Sequence, residues 1–205
     1  MKKWIYRDFE LKDYDEVEKL LDEMEHFKRI TPNHQVRKRI IAVYLRSCLE
    51  DSTFTKIVTD QGKVIGIICG RCNKQLKKAA FTPYTYGLLR RLIGLHLLKE
   101  GRKAIKAYRE YAHEYENLMG NEVKSFEGEL TLLLVHPTYR KLGIGKELFD
   151  EFINYMDQMK AKNFYLITDS TCEYTFYERY GCRKIAQQKA FLGKDMEIYL
   201  YEKKV

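Results

Sequence analysis

The chain has 205 residues, enough for one domain with a substantial core and short for two. Apolar residues make up 45% and charged residues 32%, with 3 Pro and 12 Gly, and no repeat or low-complexity tract interrupts this ordinary globular balance. The formal net charge is +8, which favours anionic partners and leaves nucleic acid, an anionic membrane surface and a phosphorylated cofactor open.

No apolar run is long enough to span a bilayer. The N-terminus, Met1-Lys2-Lys3-Trp4-Ile5-Tyr6-Arg7-Asp8, turns charged too soon for a signal peptide. A cytoplasmic protein without a membrane partner is expected, and its five cysteines (Cys48, Cys69, Cys72, Cys172, Cys182) read as thiols.

In chain order, residues 4–9 read as a short strand. Asp13 with Glu16 makes a D-x-x-E helix start, followed by Val17, Leu20, Leu21, Met24 and Phe27 at helical spacing. A second helix begins near Asn33, with Val36, Ile40, Val43, Tyr44 and Cys48 on its buried side. Residues 53–59 and 63–70 read as strands of a hairpin around Asp60-Gln61-Gly62. Residues 74–120 break the alternation and read as a helical insertion within the single domain 1–205. One of its helices is marked by Leu88, Leu89, Leu92 and Ile93; another by Ile105, Tyr108, Ala112, Tyr115 and Met119, ended at Gly120.

Residues 122–135 return to strand character up to Pro137. Ile144, Leu148, Phe149, Phe152, Met156 and Met159 then mark a helix, 163–168 a strand, 173–180 a short helix, and 183–202 a final pair of strands around Gly193-Lys194. The expected fold is mixed α/β, a sheet covered by helices with the insertion between its third and fourth strands.

The stretch Val135-His136-Pro137-Thr138-Tyr139-Arg140-Lys141-Leu142-Gly143-Ile144-Gly145-Lys146 lies between an apolar strand and an amphipathic helix. Its glycines permit a tight turn and close approach of a ligand to the main chain. The first amides of the helix have no partner within it, and the dipole is positive there, so the segment is an anion site, with Arg140, Lys141 and Lys146 adding charge. A P-loop would need Gly at Arg140, and a Rossmann fingerprint a third Gly at Leu148; both readings fail.

Arg140-Lys141-Leu142-Gly143-Ile144-Gly145 resembles the [Q/R]-x-x-G-x-[G/A] acetyl-CoA signature of the GNAT superfamily, with its Val-x-Pro-x-Tyr-Arg lead-in. Phe176-Tyr177-Glu178-Arg179-Tyr180-Gly181-Cys182 is similar to the family's F-Y-x-x-x-G-F element, with Cys182 in place of the usual Phe. The resemblance covers roughly residues 122–190 and is only architectural before them. It implies a central mixed, mostly antiparallel sheet and acetyl-CoA as cosubstrate. It further implies that the loop amides hold the pyrophosphate and that Leu133-Leu134-Val135 pairs with the pantetheine arm. Where the family often has Asn before the F-Y pair, this chain offers the hydroxyls of Ser170 or Thr171.

Acyl transfer to an amine needs a base, because with a pKa near 10.4 only about one alkyl amine in 2,500 is neutral at pH 7. It also gains from an acid at the departing thiolate. The resemblance places Tyr177 beside the sulfur, as candidate acid. Some family members carry a base at the spacing of Glu129, and strand alternation puts Glu127 on the same face. A backbone N–H near Leu134 is a candidate oxyanion donor.

Cys69-Gly70-Arg71-Cys72 reads as packing thiols, His136 as a loop side chain, and the five histidines show no metal-ligand spacing, so no metal is expected. Residues 74–109 hold ten basic side chains against Glu100 alone. That run reads as a solvated face, with a nucleic-acid or anionic-substrate surface, a cap over the acceptor cleft, or a homodimer contact as alternatives. The expected activity is acetyl transfer from acetyl-CoA to a small-molecule or peptide amine by direct attack. A non-catalytic CoA-binding module and, less favoured, a nucleic-acid binder are the alternatives.

Overall fold

The computed structural model describes residues 4–76, 92–120, 122–190 and 196–205. Seven strands form one sheet in the order β1-β2-β3-β4-β5-β7-β6. They are β1 (Ile5–Arg7), β2 (Phe54–Asp60), β3 (Lys63–Cys72), β4 (Gly128–Val135), β5 (Asn163–Asp169), β6 (Arg183–Lys189) and β7 (Glu197–Lys204). Every pairing is antiparallel except β4 with β5. The turn expected around Gly193-Lys194 lies outside the described residues, as do 77–91 with the expected helix residues Leu88 and Leu89; residues 92–96 are helical.

Helices α1 (Tyr14–Asp22), α2 (Glu25–Ile30) and α3 (His34–Glu50) cover one face of β2–β4. Asn33 caps α3, its side chain accepting from the amides of Gln35 at 3.0 Å and Val36 at 3.2 Å. The inserted helix α4 (Lys99–Met119) continues this layer, with Ala104 and Ile105 against the α3 side and Leu118 and Met119 against β5–β7. It ends at Gly120, whose φ of 51° and N–H bond to the Glu116 carbonyl close the last turn. On the opposite face lie α5 (Ile144–Gln158) and α6 (Thr175–Arg179). Phe149, Phe152 and Met156 of α5 are fully buried there, each contributing on the order of 1.5–3 kcal/mol.

Three local expectations are corrected. The helix read from Asp13 through Phe27 is two helices, parted at Glu23 and Met24. Asp13 caps nothing in α1; its carboxylate takes both terminal nitrogens of Arg7 at 2.7 Å and the Glu10 amide at 2.8 Å, while Glu16 accepts from the Val64 amide at 2.6 Å. A tertiary cation competes more strongly for a carboxylate than a local N–H does. The third is that residues 122–125 form a 3₁₀ turn, so β4 begins only at Gly128.

Candidate active site

Cys69 pairs with Leu132 but Gly70 pairs with Leu130, so Thr131 is an extra residue, a β-bulge in β4. Its hydroxyl donates to the Cys69 carbonyl at 3.0 Å. The bulge reverses the facing of the strand: Leu130 joins the α5 core, whereas Leu132 and Leu134 join the α3 core. Beyond the bulge β4 also parts from β5. The two strands pair only at Glu129–Tyr165 and Leu130–Leu166, and Ile167–Asp169 pair with β7 alone. A gap therefore opens along Thr131–Val135.

The amides lining that gap follow from register. The His136 N–H donates to the Ile65 carbonyl at 2.8 Å, and Val135 stands opposite Gly66, Leu134 opposite Ile67. Hydrogen-bonded and non-bonded pairs alternate in an antiparallel ladder, so Leu134 turns its polar groups toward β3. Leu133 and Val135 turn theirs toward the gap. The donor sought near Leu134 is thus one of its neighbours, not its own N–H.

The basic loop closes the end of the gap. Tyr139 donates to Asp60 at 2.9 Å, tying the lead-in to the β2–β3 turn, and Arg140 Nε donates to the Val135 carbonyl at 3.2 Å. Lys141 and Gly143 hold positive φ, 62° and 89°, so the chain reverses before Ile144 opens α5. Gly143 is the N-cap residue, and no side chain caps the helix, which leaves its first amides directed outward. Arg140, Lys141, Leu142, Gly143 and Lys146 are exposed and Ile144 is buried. Lys146 pairs with Asp150, which raises its pKa. A Cβ on Gly145 would lie 3.7 Å from both Phe176 and Val135, so this glycine marks where the ends of β4, α5 and α6 meet.

Tyr177 on α6 packs edge-on against Phe149 and Phe176, with Tyr201 6.1 Å away. Its ring is half-buried, and among the described residues its hydroxyl has no hydrogen-bond partner. Burial, then the nearby Cys172 and Cys182 thiols, push its phenol well above its ordinary pKa, so it is a neutral O–H donor.

Glu129 is held closely. Arg71 Nη2 lies 2.6 Å and the Tyr165 hydroxyl 2.7 Å from the same carboxylate oxygen. Burial and this carboxylate raise the Tyr165 pKa. Along the strand Glu129 is roughly 13 Å from Leu133 at most. Glu127 stands outside β4, paired with Lys74 at 2.8 Å and accepting from the Lys162 amide at 3.1 Å.

Ser170 and Thr171 are already engaged. The Ser170 oxygen accepts from the Glu197 amide at 3.0 Å, and Thr171 donates its hydroxyl proton to Asp169, so Thr171 keeps only acceptor capacity toward a ligand. His136 accepts from the Thr138 amide through Nδ1 and meets Glu23 through Nε2 at 3.4 Å. Cys69 and Cys72 are buried free thiols in the cores on opposite sides of the sheet. Among the described residues no three His, Cys, Asp or Glu are grouped to hold a metal ion, and no helix is long and apolar enough to cross a membrane.

Arg71, Tyr165 and the bulge at Thr131 escaped sequence reasoning. The polar Thr131 inside a leucine run was the available signal for the bulge; Arg71 and Tyr165 carried none.

A family model for the acetyltransferase (GNAT) domain matches residues 99–199. The chain carries a GNAT acetyltransferase domain. Its fold extends beyond that match. Arylalkylamine N-acetyltransferase 2 from Aedes aegypti superposes with a TM-score of 0.62 at 14% identity, over 98% of this chain and 99% of that one. The ribosomal-protein-S18-alanine N-acetyltransferase from Escherichia coli gives 0.56 at 10% identity, over 99% and 94%. The NatC complex bound to Gag peptide and CoA gives 0.55 at 14% identity, over 99% of each chain. No curated protein sequence matches the chain. GNAT proteins use acetyl-CoA, and the parted strands and uncapped helix start of this GNAT domain suit the arm and diphosphate of that molecule.

Proposed function

We propose that this GNAT protein is an N-acetyltransferase moving an acetyl group from acetyl-CoA to a primary amine by direct attack in a ternary complex. The observation that carries the reading is the parting of β4 from β5 immediately beside the uncapped, glycine-hinged start of α5. An extended thioester arm matches a strand edge in need of a partner, and a diphosphate matches outward amides with Arg140 and Lys141 nearby.

In this reading Leu133, Leu134 and Val135 flank the pantetheine arm, and Arg140–Lys146 surround the diphosphate. The Leu133 or Val135 N–H polarises the acyl carbonyl. The amine nitrogen forms the new C–N bond, the C–S bond breaks, and Tyr177 donates a proton to the departing sulfur. The proton lost by the amine passes toward Glu129 through water, a relay the strand distance requires. Ser170 and Thr171 contribute as acceptors at the arm's far side. No covalent acyl-enzyme is needed.

A panel of amines incubated with acetyl-CoA, with free CoA thiol as readout, tests the reading. Release with at least one amine, above slow hydrolysis, is expected. CoA binding without turnover of any amine would favour a non-catalytic CoA module. Salt-sensitive nucleic-acid binding without CoA affinity would favour a nucleic-acid protein. The working compartment proposed is the cytoplasm.

A further inference from the structure

The turn that leads into α4 holds large apolar side chains out of the protein. Leu95 is buried in the core beside α3, Arg39 of α3 donates to the Gly94 carbonyl at 2.9 Å, and Arg102 donates to the His96 carbonyl at 3.0 Å. Gly101 packs so close to this turn that a Cβ there would stand 2.2 Å from the Leu95 oxygen. With the turn pinned at these points, Ile93 is 55% exposed, Leu97 77% and Leu98 38%. A single exposed leucine is ordinary, but these three side chains lie together on one anchored turn and form a patch.

α4 continues the patch with charge. Lys99, Arg102, Lys103, Lys106 and Arg109 follow one another at helical spacing and are all exposed, on the side away from the buried Ala104 and Ile105. The stripe is about 15 Å long. Nearby acids do little to cancel it. Glu100 is held by the Asn33 side chain of the α3 cap, and Glu110 lies 3.8 Å from Lys106. Among the described residues Lys99, Lys103 and Arg109 meet no carboxylate.

Nucleic acid would use the cations and leave Ile93 and Leu97 in water. A bilayer with anionic headgroups uses both parts. Cations along one side of a helix meet its charged plane together, and apolar side chains at one end of the stripe reach the acyl boundary beneath it. The expectation of no membrane partner rests on the lack of a spanning run, and a chain that lies on a surface needs none.

We propose that Ile93, Leu97 and Leu98, together with the basic stripe of α4, dock this protein on an anionic lipid surface. None of these residues belongs to the candidate active site, so docking and acetyl transfer are tested separately.

The test is co-sedimentation of the whole chain with vesicles of phosphatidylcholine alone and of phosphatidylcholine mixed with phosphatidylserine. Wild type, Leu97→Ser and the triple variant Lys99→Glu/Lys103→Glu/Lys106→Glu are compared. Wild type is expected to bind the phosphatidylserine vesicles about tenfold more tightly than the neutral ones, and to bind less well in high salt. The triple variant should lose about tenfold in affinity for phosphatidylserine vesicles, and Leu97→Ser about threefold. The replaced side chains are all exposed, so melting temperatures should match wild type. Equal binding to both vesicle types, binding to neither, or Leu97→Ser indistinguishable from wild type would overturn the proposal. Binding to duplex DNA without binding to vesicles would overturn it in favour of a nucleic-acid surface. If the triple variant melts lower, the wild-type preference and Leu97→Ser decide.

Discussion

Tyr165 and Glu129 stand opposite each other on one of the two rungs where β4 and β5 remain paired, and the Tyr165 hydroxyl donates to the Glu129 carboxylate at 2.7 Å. Above these rungs the strands part; at them, the candidate base is clamped from β5 by Tyr165 and from β3 by Arg71. The position of Glu129 therefore depends on three adjacent strands.

If Glu129 accepts the amine's proton through water, Glu129→Gln should lower kcat about 100-fold at neutral pH. The loss should shrink as pH rises toward the amine's own pKa, because more acceptor is then already neutral. Tyr165→Phe removes only the clamp and should cost less, about tenfold, while restoring freedom to the carboxylate. A pH series of kcat/KM separates the two; equal losses at every pH would argue that Glu129 is structural.

Tyr177→Phe keeps the ring packed on Phe149 and removes the donor. Turnover should fall about 100-fold with little change in CoA affinity. Because the phenol is raised well above its ordinary value, it stays protonated through the working range. An alkaline decline of kcat below about pH 9 therefore has another origin.

Gly143 and Gly145 should respond differently to alanine. A Cβ at Gly143 meets nothing within 4 Å, but its φ of 89° strains any L side chain. The cost is about 1–2 kcal/mol, and relaxing it would misdirect the α5 amides, so Gly143→Ala should weaken CoA binding about tenfold. At Gly145 the φ is not left-handed and the nearest atoms lie at 3.7 Å. Gly145→Ala should leave both melting temperature and CoA affinity close to wild type. Calorimetric titration with CoA checks the pair.

Asp13 is nearly fully buried and holds Arg7 through two bonds of 2.7 Å, joining β1 to the start of α1. The Arg7 hydrogen bonds lower its pKa. A carboxylate with a lowered folded-state pKa stabilises the fold above its unfolded pKa, about 3.9, and loses that contribution as pH falls through the folded value. Asp13→Asn should cost about 1–3 kcal/mol at pH 7, and the difference from wild type should narrow below pH 4. Urea unfolding at both pH values measures it.

Much of the site was legible without coordinates. Gly143 and Gly145 after an apolar strand, with the amphipathic run that follows, announce an open helix start. Phe176-Tyr177 falls on the short helix expected after the strand at 163–168. These signals are local, because turn geometry, helix period and unpaired terminal amides each depend on a few neighbouring residues. The helix of the insertion ending at Gly120 was legible for the same reason. The break between α1 and α2 was not, since no glycine or proline marks it and packing decides it.

The amino-acid order alone settles that a basic, glycine-hinged loop joins a buried strand to an amphipathic helix, and so what kind of ligand the loop suits. It leaves open which amides along β4 face the gap beside β5, what holds Glu129, and what lies over α3. Those answers came from the extra residue at Thr131, from Arg71 and Tyr165 arriving on neighbouring strands, and from α4 lying over α3. Cross-strand partners are set by contacts between residues tens of positions apart, so Thr131 within a leucine run gave only a local hint of the bulge, and nothing local marked Arg71 or Tyr165 as the partners of Glu129.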